Sequence, residues 1–229
     1  MTVFDPLLST LPAAQRAIWP SLRPAQELGF VLYGGTAVAL RLGHRVSLDF
    51  DFFTDRHFTA DALRKRLPIL SGARTLDAAT DTLTVSVVPV GHDDPIKLSF
   101  FGGIDFGRVD APSQSRDGVL WVASLLDLMA TKLKVLHDRV SAKDYIDLAA
   151  LIEHGVPLAR AMSAARAMYG PAFEPSITLK AMTWFKGGDM ASLDAESRKV
   201  LLRSVDAFHG RLPTVEKASD QLLLDAGSQ

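Results

Sequence analysis

One stretch restricts the fold of this chain more than any other: VLYGGTAVALRLGHRVSLDFDFFT, from Val31 to Thr54. Its apolar opening reads as a buried strand, Gly34-Gly35 as a turn, Thr36–Leu42 as a short helix and Gly43 as a second turn. A strand carrying two aspartates follows. There Ser47, Asp49 and Asp51 alternate with Leu48, Phe50 and Phe52, so a period of two puts the polar set on one face and the apolar set on the other. Asp49 and Asp51 then point the same way, about 6–7 Å apart at the backbone. Phe50, Phe52 and Phe53 mark a core strand rather than an edge. Like charges two apart on one face repel unless a cation compensates, so the pattern asks for a metal or a basic partner.

Composition narrows which metal. The 229 residues contain no cysteine, which leaves only oxygen and imidazole ligands and makes Mg²⁺ the natural candidate. A net charge of −1 gives no global attraction to nucleic acid, so any basic groove is local. The N-terminus lacks a basic-then-apolar leader, and no apolar run approaches the ~20 residues that span a bilayer. These features lead to the expectation of a cytoplasmic protein with no membrane segment.

Along the chain, Pro6, Pro12, Pro20 and Pro24 cut the first 28 residues into short helical pieces, a packing arm before the first strand. Thr59 caps a helix that Pro68 ends, and its Arg64, Lys65 and Arg66 read as a solvated face. From Arg74 to Phe101 the pattern is β: TLDAA, TLTVSVVPV, a GHDDP turn, then IKLSFF, the last two runs forming a hairpin. His92, Asp93 and Asp94 belong to that turn. Gly102 to Trp121 looks like a linker with one short strand around Phe106–Val109. Only helices follow, starting at Ser124, Ser141, Pro157, Pro175 and Asp194, and the final dozen residues look weakly ordered. The expected fold class is α/β: a small mixed sheet with helices over 1–118, then a C-terminal helical bundle over 119–229.

Two further features carry chemistry. Gly34-Gly35-Thr36 follows an apolar strand and opens a helix, where free N–H groups and absent Cβ atoms favour a close-lying anion such as a triphosphate. On the helix after Ser124, Lys132 has Leu128, Met129, Val135 and Leu136 as its three-and-four neighbours and so projects from an apolar stripe, whereas Lys134 faces Asp138. Asp144 and Asp147 share a helical face and call for a cation partner, although Asp144 also fits a capping-box acid after Ser141.

The string YGGTAVALRLGHRVSLDFDFF resembles the G-G-[ST]…R-x-S-x-D-[FI]-D-F signature of the AbiEii/AbiGii toxin family, a branch of the polymerase-β-like nucleotidyltransferase superfamily. Lys132, Arg139, Lys143, Asp144, Tyr145, Asp147 and Leu148 resemble the family's second motif, K…R-x-x-x-[KR]-D-[YF]-x-D-[LI]. The resemblance implies a minimal nucleotidyltransferase fold. It also implies Mg²⁺-dependent transfer of a nucleotidyl group from an NTP to an RNA (tRNA) or protein hydroxyl, by a type IV toxin with a cognate antitoxin. Carried onto this chain, Asp49 and Asp51 would hold Mg²⁺, Gly34, Gly35 and Thr36 would grip phosphates, and Ser47 would belong to the nucleotide-binding signature. Arg45 and Lys132 would neutralise triphosphate charge, while Asp144 and Asp147 would orient lysine and nucleotide.

One position departs from the pattern. The third acid is sought in K-[ILV]-[DE]-[IF], but this chain has Lys97-Leu98-Ser99-Phe100, so a hydroxyl stands where a carboxylate belongs. Asp105, six residues downstream, could substitute only after a sharp turn at Gly102-Gly103. Ser99 therefore opens an alternative reading, a catalytically degenerate nucleotide-binding or interaction module.

Overall fold

The computed structural model describes residues 2–223; the end of the tail expected to be weakly ordered lies outside them. Residue contacts divide the described chain into two compact units. The first comprises 2–107, 111–123 and 219–223, the second 108–110 and 124–218.

The first unit is built on an eight-stranded mixed sheet of order β1-β7-β8-β2-β3-β6-β5-β4. Its strands are β1 (Val3–Phe4), β2 (Val31–Tyr33), β3 (Asp49–Phe53), β4 (Arg74–Ala79), β5 (Thr82–Val87), β6 (Ile96–Phe101), β7 (Ser113–Ser115) and β8 (Trp121–Val122). β5 and β6 form the expected hairpin, and β4 adds antiparallel to β5 as an exposed edge strand. β2 runs antiparallel to β3, and β6 runs parallel to β3, which places the aspartate strand centrally. Phe50 and Phe52 are fully buried, with Phe52 stacked on Phe100 at 4.9 Å between centroids and Phe30 packed edge-on to both. Helices α1 (Ala13–Ile18), α2 (Arg23–Glu27), α3 (Gly34–Leu42) and α4 (Ala60–Arg66) complete the unit. Thr59 caps α4 by accepting from the Ala62 amide.

Three differences from the sequence reading have physical causes. The strand starts at Asp49, not at Ser47: Ser47 is buried and Leu48 is 55% exposed, so the alternation of the aspartate strand does not extend back through the turn. The linker-like run holds no strand at 106–109 but two further on, β7 and β8. They have three and two residues, too few to show a period, and long-range pairing with β1 and β2 defines them. β1 itself was hidden in the arm for the same reason.

The second unit is helical: α5 (Leu125–Val135), α6 (Ala142–Glu153), α7 (Leu158–Tyr169), α8 (Pro175–Met182) and α9 (Ala195–Asp206). Ser124 caps α5 and Asp194 caps α9 through their side chains. Ser141 stands at the α6 cap position, yet its hydroxyl makes no cap bond; Asp189 accepts from the Ala142 amide at 2.7 Å instead. Leu128, Met129, Leu133, Leu148, Leu151, Ala161, Met162 and Ala165 fill the core.

Candidate active site

The Gly34 turn is shaped by its contact with Asp51. Gly34 has φ +73°, in the left-handed region, and a Cβ there would collide with Asp51 Oδ2. Only glycine lets this carboxylate lie against the first turn of α3, where the helix dipole favours negative charge. Thr36 is buried and its hydroxyl is used internally, within reach of the Ser47 hydroxyl at 2.9 Å and of the Asp49 carbonyl. Thr36 and Ser47 thus tie the start of α3 to the start of β3. The Thr36 hydroxyl is engaged within the protein, and an anion at this turn would be met by main-chain N–H groups at the start of α3. Arg45 sits in the connecting turn, with Nη1 donating to its neighbour's carbonyl on Val46 at 3.0 Å.

Asp49 and Asp51 share one face of β3, both half-buried, as the period of two requires. Across the parallel pair, Lys97 is level with Asp49 and Ser99 with Asp51. Lys97 Nζ stands 3.3 Å from Asp49 Oδ2, the two side chains being 43% and 46% exposed. Ser99 is buried and is also level with Thr84 on β5. After Phe101 the chain turns at Gly102 and Gly103, whose amides donate to the Asp81 and Arg56 carbonyls. That turn does not carry Asp105 to the pair: among the described residues no group of three or more His, Cys, Asp or Glu is arranged to hold a metal. The donors that fit a hard cation are the Asp49 and Asp51 carboxylates, on a face open enough for water and phosphate oxygens to fill the remaining positions.

The second motif is a buried ionic network in the helical unit. Lys132 Nζ lies 2.7 Å from Asp144 Oδ1 and 2.7 Å from Asp147 Oδ2, with all three side chains almost wholly buried. Arg139 adds a two-pronged contact to Asp144, Nε to Oδ2 at 2.8 Å and Nη2 to Oδ1 at 3.1 Å. Two cations therefore meet two carboxylates. Burial by itself would raise the Asp144 carboxyl, but the Arg139 hydrogen bonds and the Lys132 charge outweigh it and hold the group below the usual carboxylate range. The cation partner expected for Asp144 and Asp147 is thus Lys132, and Asp144 is not a capping-box acid. Tyr145 and Leu148 serve packing, Tyr145 donating its hydroxyl to the Ala181 carbonyl at 3.2 Å. Lys134 pairs with Asp138 on the surface as its spacing predicts.

Two charged residues escaped the sequence reading. Lys97 was visible as a neighbour of Ser99, but its pairing with Asp49 follows from strand register, which no local pattern encodes. Asp127 is buried in the first turn of α5, where its Oδ1 accepts from the Val109 and Asp110 amides at 3.2 Å; burial pushes its carboxyl up to about 6.

Comparison with known proteins places the chain in a family. Residues 21–221 match the family described as "Nucleotidyl transferase AbiEii toxin, Type IV TA system". A relative from Aquifex aeolicus (strain VF5), the uncharacterized protein aq_aa25, is 32% identical over 160 residues, 69% of this chain and 74% of its own. Among solved structures, a candidate nucleotidyltransferase from H. pylori superposes with a TM-score of 0.55 at 19% identity, over 84% of this chain and 92% of that one. MenT4, a nucleotidyltransferase toxin of Mycobacterium tuberculosis H37Rv, gives 0.54 at 15% identity, over 83% and 82%. At these identities the structural matches establish the fold, a mixed α/β sheet of the nucleotidyltransferase kind, as the sequence predicts.

Proposed function

This chain belongs to the AbiEii family of nucleotidyltransferase toxins, and from that premise we propose that it transfers a nucleotidyl group from an NTP to a hydroxyl of RNA, with tRNA the leading acceptor, or of a protein. In this reading Asp49 and Asp51 hold Mg²⁺, and the Gly34 and Gly35 amides face the phosphates. The observation that carries it is the Gly34–Asp51 contact, which binds the glycine turn and the carboxylate face into one constellation. Bound Mg²⁺ would polarise the α-phosphate. The acceptor oxygen forms a bond to the α-phosphorus, the bond to the β-phosphate breaks, pyrophosphate leaves with the electron pair, and the hydroxyl proton passes to water or a carboxylate.

Within the helical unit, the Lys132, Arg139, Asp144 and Asp147 network corresponds to the second motif that the resemblance implies. Its proposed part toward the nucleotide is that Lys132 neutralises triphosphate charge while Asp144 and Asp147 orient lysine and nucleotide. Arg45 is proposed as a further phosphate contact. A cognate antitoxin is the expected partner, and the cytoplasm the expected compartment; no described helix is long and apolar enough to cross a membrane.

The test incubates purified protein with each labelled NTP, Mg²⁺ and total tRNA. Label transfer that disappears in Asp51→Asn is the expected result. No transfer, together with a melting temperature indifferent to every NTP, would sink both catalysis and binding. A second reading is favoured by Ser99, buried and neutral opposite Asp51. A degenerate module would show NTP binding by calorimetry without turnover.

A further inference from the structure

We propose that the loop after β3 and the face of α4 that carries Leu63 and Arg66 form a second ligand site, a pocket for the phosphate group of an ester. The proposal goes beyond the nucleotidyltransferase reading and does not depend on it. Wholly within the first unit, a cavity of about 210 Å³ is lined by Arg56, His57 and Arg66 and by an apolar wall of Phe30, Phe58 and Leu63. Phe30 packs against Phe58 and, edge-on, against Phe52 and Phe100, which sets the cavity beside the apolar face of β3 and not over Asp49 and Asp51. The lining holds two guanidiniums and an imidazole and no carboxylate.

The polar groups of this pocket are carried on a fixed backbone. His57 Nδ1 stands 2.6 Å from Asp81 Oδ2, while Asp81 Oδ1 accepts from the Phe58 amide at 2.8 Å; the ring is thereby oriented and its Nε2 is left for a ligand, on a side chain 83% exposed. The Arg56 carbonyl accepts from the Gly103 amide at 3.1 Å, and the Arg56 guanidinium lies against Gly29, where a Cβ would stand 3.0 Å from Cζ. A Cβ on Gly103 would stand equally close to the His57 ring, so glycines at 29 and 103 make room for both side chains. On α4 the basic run divides. Arg64 is used internally, on the Leu70 carbonyl at 2.9 Å and the Thr75 hydroxyl at 2.7 Å, whereas Arg66, one turn after Leu63, reaches the cavity. Among the described residues, neither the Arg56 nor the Arg66 guanidinium has a hydrogen-bond or ion-pair partner. Donors from two segments around one small space suit a tetrahedral anion, whose several oxygens can meet guanidinium forks from both sides, better than a planar carboxylate. The apolar wall then takes the carbon group that the phosphate carries.

The test titrates phenyl phosphate into the full-length protein in EDTA, which keeps the aspartate pair free of metal, and follows it by calorimetry and by the imidazole signals in NMR spectra, with that of His57 assigned from its loss in His57→Gln. Saturable binding that shifts the His57 signal is the expected result. Arg56→Met and Arg66→Met should each weaken it about tenfold, as loss of a charge-assisted hydrogen bond does. Lys65→Met removes the same charge from α4 without touching the cavity and should stay within about twofold of wild type. A uridine octamer without terminal phosphates separates the two sources of the group: binding tighter than that of phenyl phosphate, and lost in Arg56→Met, assigns the pocket to a nucleic-acid phosphodiester, and weaker binding assigns it to a small ester. Melting curves check that the variants are folded, which the exposure of Arg56 and Arg66 favours, and the His57 shift is read on wild type alone. No binding at millimolar concentration, saturation that leaves the His57 signal in place, or an equal loss in Lys65→Met would overturn the proposal and leave the nucleotidyltransferase reading standing.

Discussion

Two pairs of aspartates organise the two units, and they are neutralised in opposite ways. Asp144 and Asp147 are buried one helical turn apart and meet two cations, Lys132 between them and Arg139 at Asp144. Asp49 and Asp51 are half-buried two apart on a strand, and on that face Lys97 stands 3.3 Å from Asp49. Burial explains the contrast. Uncompensated charge in a low-dielectric interior costs several kcal/mol, so the helical pair is stable only with its counter-ions built in. On the open face water carries part of that load, so an ion pair there can be exchanged for another partner at little cost. The first pair is suited to holding a structure in register, the second to exchanging partners.

The largest expected effect breaks the buried network. Lys132→Met leaves two buried carboxylates with one cation and should cost about 3–5 kcal/mol in chemical denaturation. If the loss is below about 1 kcal/mol, the network is more solvated than its geometry indicates.

Acid titration sharpens the contrast next, because two buried carboxylates of the helical unit move in opposite directions. Asp127 has its folded value raised to about 6 from 3.8. The folded state then binds the proton more readily than the unfolded one, so stability rises as pH falls from about 6 toward 4. The span is at most about 3 kcal/mol. Asp144 is held below its ordinary value, so its contribution is present above that value and is lost only as pH falls further, through the depressed one. Asp127→Asn keeps an acceptor for the Val109 and Asp110 amides and should flatten the profile between pH 4 and 6. Denaturation midpoints across that range measure it.

Gly34→Ala tests the junction of the glycine turn with the open pair. It combines a positive φ with a collision against Asp51 and should cost about 1–3 kcal/mol by thermal or denaturant unfolding. A neutral result would mean that the turn can relax without the left-handed conformation.

Asp49→Asn should leave metal-free stability within about 0.5 kcal/mol, since its ion pair is exposed. It should also abolish the increment that saturating Mg²⁺ adds in wild type, about 1–3 kcal/mol at concentrations well above Kd. Melting with and without Mg²⁺ separates the two. The smallest effect is Lys134→Ala, which removes the exposed pair with Asp138 and should cost no more than about 0.5 kcal/mol.

Much of the site was legible because its signals are local. A period of two placed Asp49 and Asp51 on one face from Asp49 onward, and helical spacing placed Asp144 and Asp147 together and Lys134 beside Asp138. Gly34-Gly35 announced a turn that side chains would obstruct, and the structure shows which atom would obstruct it. The alternation misled at Ser47 and Leu48, which lie in the turn before the strand, where the next residues no longer point to opposite faces.

By itself the amino-acid sequence determined an α/β region followed by helices, a carboxylate pair on a central strand, and a family signature running through both. Tertiary structure decided which groups answer those carboxylates. Strand register set Lys97 and Ser99 opposite Asp49 and Asp51, and helix packing brought Lys132 to Asp144 and Asp147. Distant pairing also turned 113–115 and 121–122 into strands and sent Asp189 to cap α6 in place of Ser141. The reason is one of range. Side-chain periodicity depends on neighbours a few residues away, whereas charge compensation depends on whatever segment the fold brings within a few ångströms.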